Sequence, residues 1–292
     1  MTTRVVTGCR LKAVLVDLSS TIHVEDYAIP GAIQAIQRII KMENYRWPKI
    51  MFIGMLQLNC EFKDLRLKDS SLDVKFVTNT TKESKNRLHE RIHRLGFNIQ
   101  KNEIFTSLTA ARNLVDEQKL RPMLLLEDEA LEDFEGISQE NLNSVVVGLA
   151  PGCFNYEKLN VAFRLLMQGH PLIAVHKARY YKRPDGLALG PGGFVSGLEF
   201  ATGTTATVVG KPQEAFFLSA LKTVNCKPCE AVMIGDDLTD DVEGANKIGM
   251  KSILVKTGKY REGDDKKVDP FHSAVCSDIK SAVDLLLNEW MH

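Results

Sequence analysis

The sequence has no surplus of charge: 37 Lys+Arg balance 37 Asp+Glu across 292 residues. A chain without a basic excess is a poor general binder of nucleic acid, because backbone affinity comes from lysines and arginines that displace counterions. It also lacks an apolar run near the ~18 residues of a membrane span. The nearest, residues 50–58, is interrupted by Gly54 and Gln57. There is no cysteine framework. The six cysteines, Cys9, Cys60, Cys153, Cys226, Cys229 and Cys276, are scattered. The apolar run at 13–16 is too short for the core of a secretory signal. Reduced thiols and a cytoplasmic setting are therefore expected. Cys226 and Cys229 have CxxC spacing, but no second ligand pair completes a zinc site, and ordinary thiols are favoured over a redox pair. Repeats and low-complexity tracts are absent too.

The composition that remains is that of a soluble globular protein, 44% hydrophobic and 25% charged, which excludes a chain disordered overall. Its length favours two domains. Short apolar runs at 13–16, 74–77, 172–175, 206–209, 231–234 and 252–255 alternate with helical patterns at 83–95, 108–117, 156–167, 214–224, 240–248 and 279–290. After Pro30-Gly31, Ile33, Ile36, Ile39 and Ile40 recur at helical spacing. Such alternation predicts an α/β fold, a doubly wound parallel sheet. A short strand is expected at 104–106, two apolar runs at 123–126 and 144–147, and a long polar loop over 176–193. Between Asp17 and Val74 lie 56 residues, far more than the dozen or so a crossover needs. Residues 41–67 therefore read as an insertion.

Four stretches carry chemistry. Asp17 follows the first strand, where open α/β sheets bind ligands. Thr78 and Asn79 follow the second; they suit a phosphate oxygen and equally a helix cap. Lys211 follows a third strand and could neutralise a carboxylate or phosphate, or stand as a solvated charge. Asp236, Asp237, Asp240 and Asp241 put four carboxylates in six residues. A helix dipole accounts for one or two of them. All four repel unless a cation offsets them, and oxygen-rich clusters suit Mg²⁺.

Asp, then Thr-Asn, then Lys, then the acidic cluster, each after its own strand, resembles the haloacid dehalogenase superfamily over nearly the whole chain. Within it, the runs at 145–149, 186–192 and 209–212 are similar to the type II, C2-capped, NagD-like phosphatases, including the phospholysine phosphohistidine inorganic pyrophosphate phosphatases. The resemblance implies a Rossmann-like core of residues 1–120 and 205–292, with a smaller α/β cap at 121–204. It implies a Mg²⁺-dependent phosphatase with Asp17 as nucleophile, and Mg²⁺ held by Asp17, Asp236 and the Ser19 carbonyl. Thr78 and Asn79 would hold the transferring phosphoryl group, and Lys211 would offset charge. Asp241 would anchor Lys211 or the metal shell, with Asp237 and Asp240 nearby, although the doubled Asp leaves the alignment one residue ambiguous. The partner would be a small phosphorylated substrate, and a homodimer through the cap is implied.

Two positions depart from the pattern. Ser19 stands where most family phosphatases carry an Asp general acid/base, worth ~10²–10⁴-fold. That shifts the expected substrates toward activated phosphates: pyrophosphate, phosphoramidates and aryl phosphates. Ser20 stands where the family has Gly; if the turn needs φ > 0, Ser costs about 1 kcal/mol. The competing expectation is a catalytically weak binding or regulatory protein. A dehalogenase fits less well because the acidic cluster is retained, and a P-type ATPase is excluded because no membrane segment is present. The basic, aromatic stretch 176–183 could steer an anionic substrate, with Tyr181 and Lys182 as its expected contacts.

Overall fold

A computed structural model describes residues 9–43, 72–183 and 186–290. The predicted insertion lies outside the described residues from position 44 onward. β1 (Ala13–Asp17) is buried along its whole length, as a central strand of a parallel sheet must be. A tight turn and a small hairpin, β2 (His23–Val24) and β3 (Tyr27–Ala28), lead into α1 (Ala32–Glu43). Its Ala32, Ala35, Ile36 and Ile39 recur at helical spacing and are all buried. The alternation continues with β4 (Asp73–Thr78), α2 (Lys85–Arg94), β5 (Ile104–Thr106) and α3 (Ser107–Glu117). Ser84 and Thr106 cap α2 and α3 by accepting from the backbone N–H of Arg87 and Thr109.

A second unit follows: β6 (Pro122–Leu125), β7 (Ser144–Val147), α4 (Tyr156–Met167), β8 (Leu172–Ala174), β9 (Tyr180–Arg183), β10 (Gly186–Leu189), α5 (Gly192–Thr202) and β11 (Thr207–Val208). The chain then returns through α6 (Glu214–Lys222), β12 (Ala231–Gly235), α7 (Gly244–Lys247), β13 (Lys251–Val255), β14 (Ser273–Cys276) and α8 (Ile279–Leu285).

The main sheet has six strands in the order β14-β13-β12-β1-β4-β5, with every neighbouring pair parallel. Its strands alternate faces with period two. Val14 and Val16 join Phe76, Ile234 and the helices α1 and α8 on one side. Ala13 and Leu15 join Met233, Phe105 and Phe216 of α6 on the other. This two-sided core is the doubly wound α/β architecture expected from the alternation. The second unit is a smaller four-stranded sheet, β11-β8-β7-β6, with its own core around Val145, Val147, Leu166 and Leu172.

Several expectations change. The loop at 176–193 contains an antiparallel hairpin, β9 with β10. Alternation there is masked by lysines, arginines and glycines. The strand before Lys211 pairs with β8 in the smaller sheet, so residues 207–208 belong with that unit rather than with the core segment beginning at 205. The pattern at 240–248 starts as a π-helical turn, Leu238–Glu243, and the last helix turns π-helical over Leu286–Trp290. Cys226 and Cys229 are free thiols, and burial followed by the nearby Glu230 pushes the Cys226 thiol up to about 11. That is opposite to a reactive CxxC pair, whose thiolate must be favoured.

Candidate active site

Parallel pairing places the carboxyl ends of β12, β1 and β4 side by side. Asp17 is level with Val77 in β4, and Val16 with Ile234 in β12. Strands added after β1 go to one side (β4, β5) and later ones to the other (β12–β14), so the β1/β12 edge is a topological switch point. Asp17, Thr78 and Asp236 meet at that end of the sheet.

Lys211 arrives from the smaller sheet. Its Nζ lies 2.5 Å from Asp17 Oδ1 and 2.6 Å from Asp241 Oδ1, and all three residues are buried. Asn79 sets this reach: its Oδ1 accepts from Lys211 N and its Nδ2 donates to Lys211 O, both at 2.9 Å. Both polar atoms of Asn79 are thus engaged by the Lys211 main chain. Gly210 is needed for the approach, because a Cβ there would sit 2.6 Å from Val175 O and 2.7 Å from Asn79 Oδ1. Thr78 is buried at the end of β4, its Oγ1 accepting from Thr80 N at 3.3 Å.

The acidic cluster divides by position. Asp236 is buried; its Oδ2 accepts from Lys259 N at 2.7 Å, and its Oδ1 is 3.1 Å from Thr21 Oγ1. Thr21 Oγ1 also lies 3.0 Å from Asp17 Oδ2, and one hydroxyl proton can serve only one of the two carboxylates. Asp241 packs against Gly235, where a Cβ would lie 2.2 Å from its Oδ2, and that oxygen accepts from Asp237 N. Asp237 caps the following turn through Thr239 N and Asp240 N. Asp237 and Asp240 face Lys259, at 3.0 and 3.7 Å. Of the doubled Asp, Asp241 lies in the buried centre beside Lys211 and Asp240 at the rim beside Lys259.

The electrostatics follow from this packing. Burial, then the charge of Asp17, pushes Asp236 up to about 7. Burial likewise holds Asp241 well above the usual carboxylate range. Burial alone would lower Lys211, but Asp17 and Asp241 keep its ammonium charged well above the ordinary lysine value. Oxygens of Asp17, Asp236 and Asp241 all lie within 4.8 Å of one another. Three carboxylates against one ammonium leave an all-oxygen centre with excess negative charge, a donor set that fits a hard divalent cation.

Ser19 is exposed, two residues beyond Asp17. Ser20 has φ +68°, the left-handed conformation in which a Cβ is strained. Its carbonyl accepts from Thr257 Oγ1 at 2.7 Å, and Gly258 packs so closely that a Cβ there would lie 2.1 Å from Ser20 Cβ. Tyr181 sits under Lys82, whose Nζ is 4.8 Å from the ring centroid, and lines a groove of about 740 Å³ with Asp237, Asp240 and Lys259. The Lys182 side chain lies outside the described residues. Thr21 and Lys259 have no counterpart among the predicted site residues. Both are brought to the centre only by folding, Thr21 through the turn after β1 and Lys259 through the loop after β13.

A carboxylate at the end of the first strand, paired with a buried lysine and backed by two further aspartates at a switch point, defines a hydrolase of the haloacid dehalogenase fold. Residues 14–138 match the family model described as haloacid dehalogenase-like hydrolase, and residues 208–282 match the one described as HAD-hydrolase-like. The chain belongs to this family. It is 55% identical over 277 residues to the Bos taurus haloacid dehalogenase-like hydrolase domain-containing protein 2, covering 95% of this chain and 96% of that protein. It is 39% identical over 224 residues to the Xenopus laevis phospholysine phosphohistidine inorganic pyrophosphate phosphatase, covering 76% and 83%. The solved 4-nitrophenylphosphatase of Thermotoga maritima shares the fold, with a TM-score of 0.76 at 20% identity over 94% of this chain and 97% of that one.

Proposed function

We propose that the chain is a Mg²⁺-dependent phosphohydrolase that works through an aspartyl-phosphate on Asp17. The observation that carries this reading is the Asp17 carboxylate itself. One oxygen is held by the Lys211 ammonium, and the other is turned toward Thr21 and Asp236 at the open end of the sheet. Asp17 attacks phosphorus, the bond to the leaving group breaks, and water then hydrolyses the acyl phosphate. Mg²⁺, held by Asp17, Asp236 and the Ser19 carbonyl, would neutralise the phosphoryl oxygens. Lys211 offsets charge on the nucleophile and the phosphoryl group. Thr78 faces that group, and Asn79 positions Lys211 by clamping its backbone.

Ser19 cannot protonate a leaving group near neutral pH, so the substrates are small or activated phosphates: pyrophosphate, phosphoramidates, aryl phosphates and the better phosphate esters. The Xenopus relative's name, which gives phospholysine, phosphohistidine and pyrophosphate, supports this class. We read the four-stranded unit as the cap. Its exposed Leu189 and Phe200 offer apolar surface for a cap-mediated homodimer.

A catalytically weak, ligand-binding role is the second reading, favoured by the strained Ser20 next to the nucleophile. Hydrolysis of p-nitrophenyl phosphate and pyrophosphate by wild type and Asp17→Asn, with Mg²⁺ or with a chelator, separates the two. Turnover that needs both Asp17 and Mg²⁺ supports the enzyme. Equal inactivity of both proteins on a panel of phosphates supports the binding protein.

A further inference from the structure

We propose that Arg261, on the loop that follows β13, selects the leaving group of the reaction and favours leaving groups that carry an anionic group of their own. The inference rests on the phosphohydrolase reading above. The groove of about 740 Å³ opens from Asp237 and Asp240 and runs between the root of the β9–β10 hairpin and the loop 258–267. The groove adjoins the catalytic centre through Asp237, the neighbour of Asp236, and through Lys259, whose N–H donates to Asp236 Oδ2.

The charges in the groove wall are mostly accounted for. Asp237 and Asp240 face Lys259. Asp264 pairs with Lys267 Nζ at 2.9 Å and also accepts from Arg261 N at 2.9 Å. The Arg179 and Arg261 guanidinium groups remain: among the described residues neither forms an ion pair, although the nearby Asp264 and Asp237 favour the Arg261 cation. A guanidinium not committed to a carboxylate, in a groove that adjoins the centre, is a fork that can take a second phosphate or carboxylate with two parallel hydrogen bonds.

Arg261 is the better placed of the two. It lies two residues beyond Lys259, whose main-chain N–H holds Asp236, so its backbone is tied to the catalytic centre. Its Nη2 donates to Tyr180 Oη at 3.4 Å, which draws the guanidinium across the groove toward the hairpin. The hairpin root is itself fixed: Gly190 N donates to Arg179 O and Gly192 N to Ala178 O, both at 3.0 Å. A Cβ on Gly190 would lie 2.3 Å from Ala178 O, so the two segments are packed without slack. The bond to Tyr180 biases the exposed Arg261 side chain toward the groove before an anion arrives.

The test compares a substrate whose leaving group is anionic, pyrophosphate, with one whose leaving group carries no separate charge, p-nitrophenyl phosphate. Arg261 is exposed, so its substitution should leave the fold intact, which thermal melts will check. At saturating Mg²⁺, Arg261→Gln should lower kcat/KM for pyrophosphate about tenfold or more, as expected for loss of a charge-assisted contact. The value for p-nitrophenyl phosphate should stay within about twofold. Arg261→Lys should recover part of the loss, and Tyr180→Phe should fall between wild type and Arg261→Gln. Equal losses on both substrates, or no loss on pyrophosphate, would overturn the assignment. An Asp17→Asn variant as active as wild type would instead overturn the underlying phosphohydrolase reading.

Discussion

Replacing Lys211 with Met should destabilise the protein by more than any packing loss explains. The side chain is 3% exposed, and it contacts two carboxylates that are 7% and 1% exposed. Methionine keeps most of the aliphatic volume, so the cavity contribution is small. The ammonium is lost, and Asp17 and Asp241 are left buried without their cation. Removing one partner of a buried ion pair costs about 3–5 kcal/mol, and here two acids lose a partner at once. For a chain of this size that corresponds to a fall in Tm of about 6–20 °C. The deficit should depend on pH. Burial already raises Asp241 well above the usual range, and loss of Lys211 raises it further. A group whose folded pKa is raised contributes stability that is present at low pH and lost as pH rises through that pKa. Thermal melts in chelator should therefore show the Lys211→Met deficit widening from pH 5 to pH 8. A deficit below about 1 kcal/mol at pH 8 would refute the claim that the triad is buried and mutually dependent, because exposed pairs are worth only that much. A deficit of constant size across this range would assign the effect to packing alone.

Other consequences are as direct. Ser19→Asp restores a carboxylate two residues beyond the nucleophile and should raise kcat on alkyl phosphates ~10²-fold or more, with little change on aryl phosphates; steady-state assays on the two classes check it. Burial and the Asp17 charge push Asp236 up to about 7. Its raised pKa means that metal-free stability declines as pH climbs from ~4 through about 7, and that Mg²⁺ binds more tightly above that pH because it needs the ionised form. Melts with and without Mg²⁺ at pH 5 and pH 8 should show the larger Mg²⁺-induced rise at pH 8. Gly235→Ala puts a Cβ where Asp241 Oδ2 now lies, 2.2 Å away. The displaced carboxylate should release Lys211 and lower kcat about 10²-fold, read by activity on p-nitrophenyl phosphate.

The parts of the site that sequence exposes are those fixed by strand ends. A buried strand in a parallel sheet is a short apolar run, and the first polar residue after it falls at the ligand-binding edge. Asp17, Thr78 and Asp236 could be placed on that basis alone. Lys211 was also legible, although its strand belongs to the smaller sheet, because the polar residue just past a strand end is visible whichever sheet the strand joins. Thr21 and Lys259 were not legible as site residues, because their roles depend on a turn and a loop brought together only in the folded chain. The φ of Ser20 was conditional in the sequence and is positive in the structure. The β9–β10 hairpin was hidden because its lysines, arginines and glycines conceal the period of two. The β14 strand was missed because Ser273 and Cys276 interrupt an already short apolar signal.

The central claim is that Asp17 becomes phosphorylated during turnover. The direct measurement is to mix the protein with p-nitrophenyl phosphate and Mg²⁺, quench with acid in the pre-steady state, and map the phosphoryl group by peptide mass. The account predicts an acid-stable mass increase of one phosphoryl group on the peptide that contains Asp17, absent from Asp17→Asn and from samples with chelator. Turnover by wild type with no phosphoryl group on that peptide, or with the group on another residue, would contradict it.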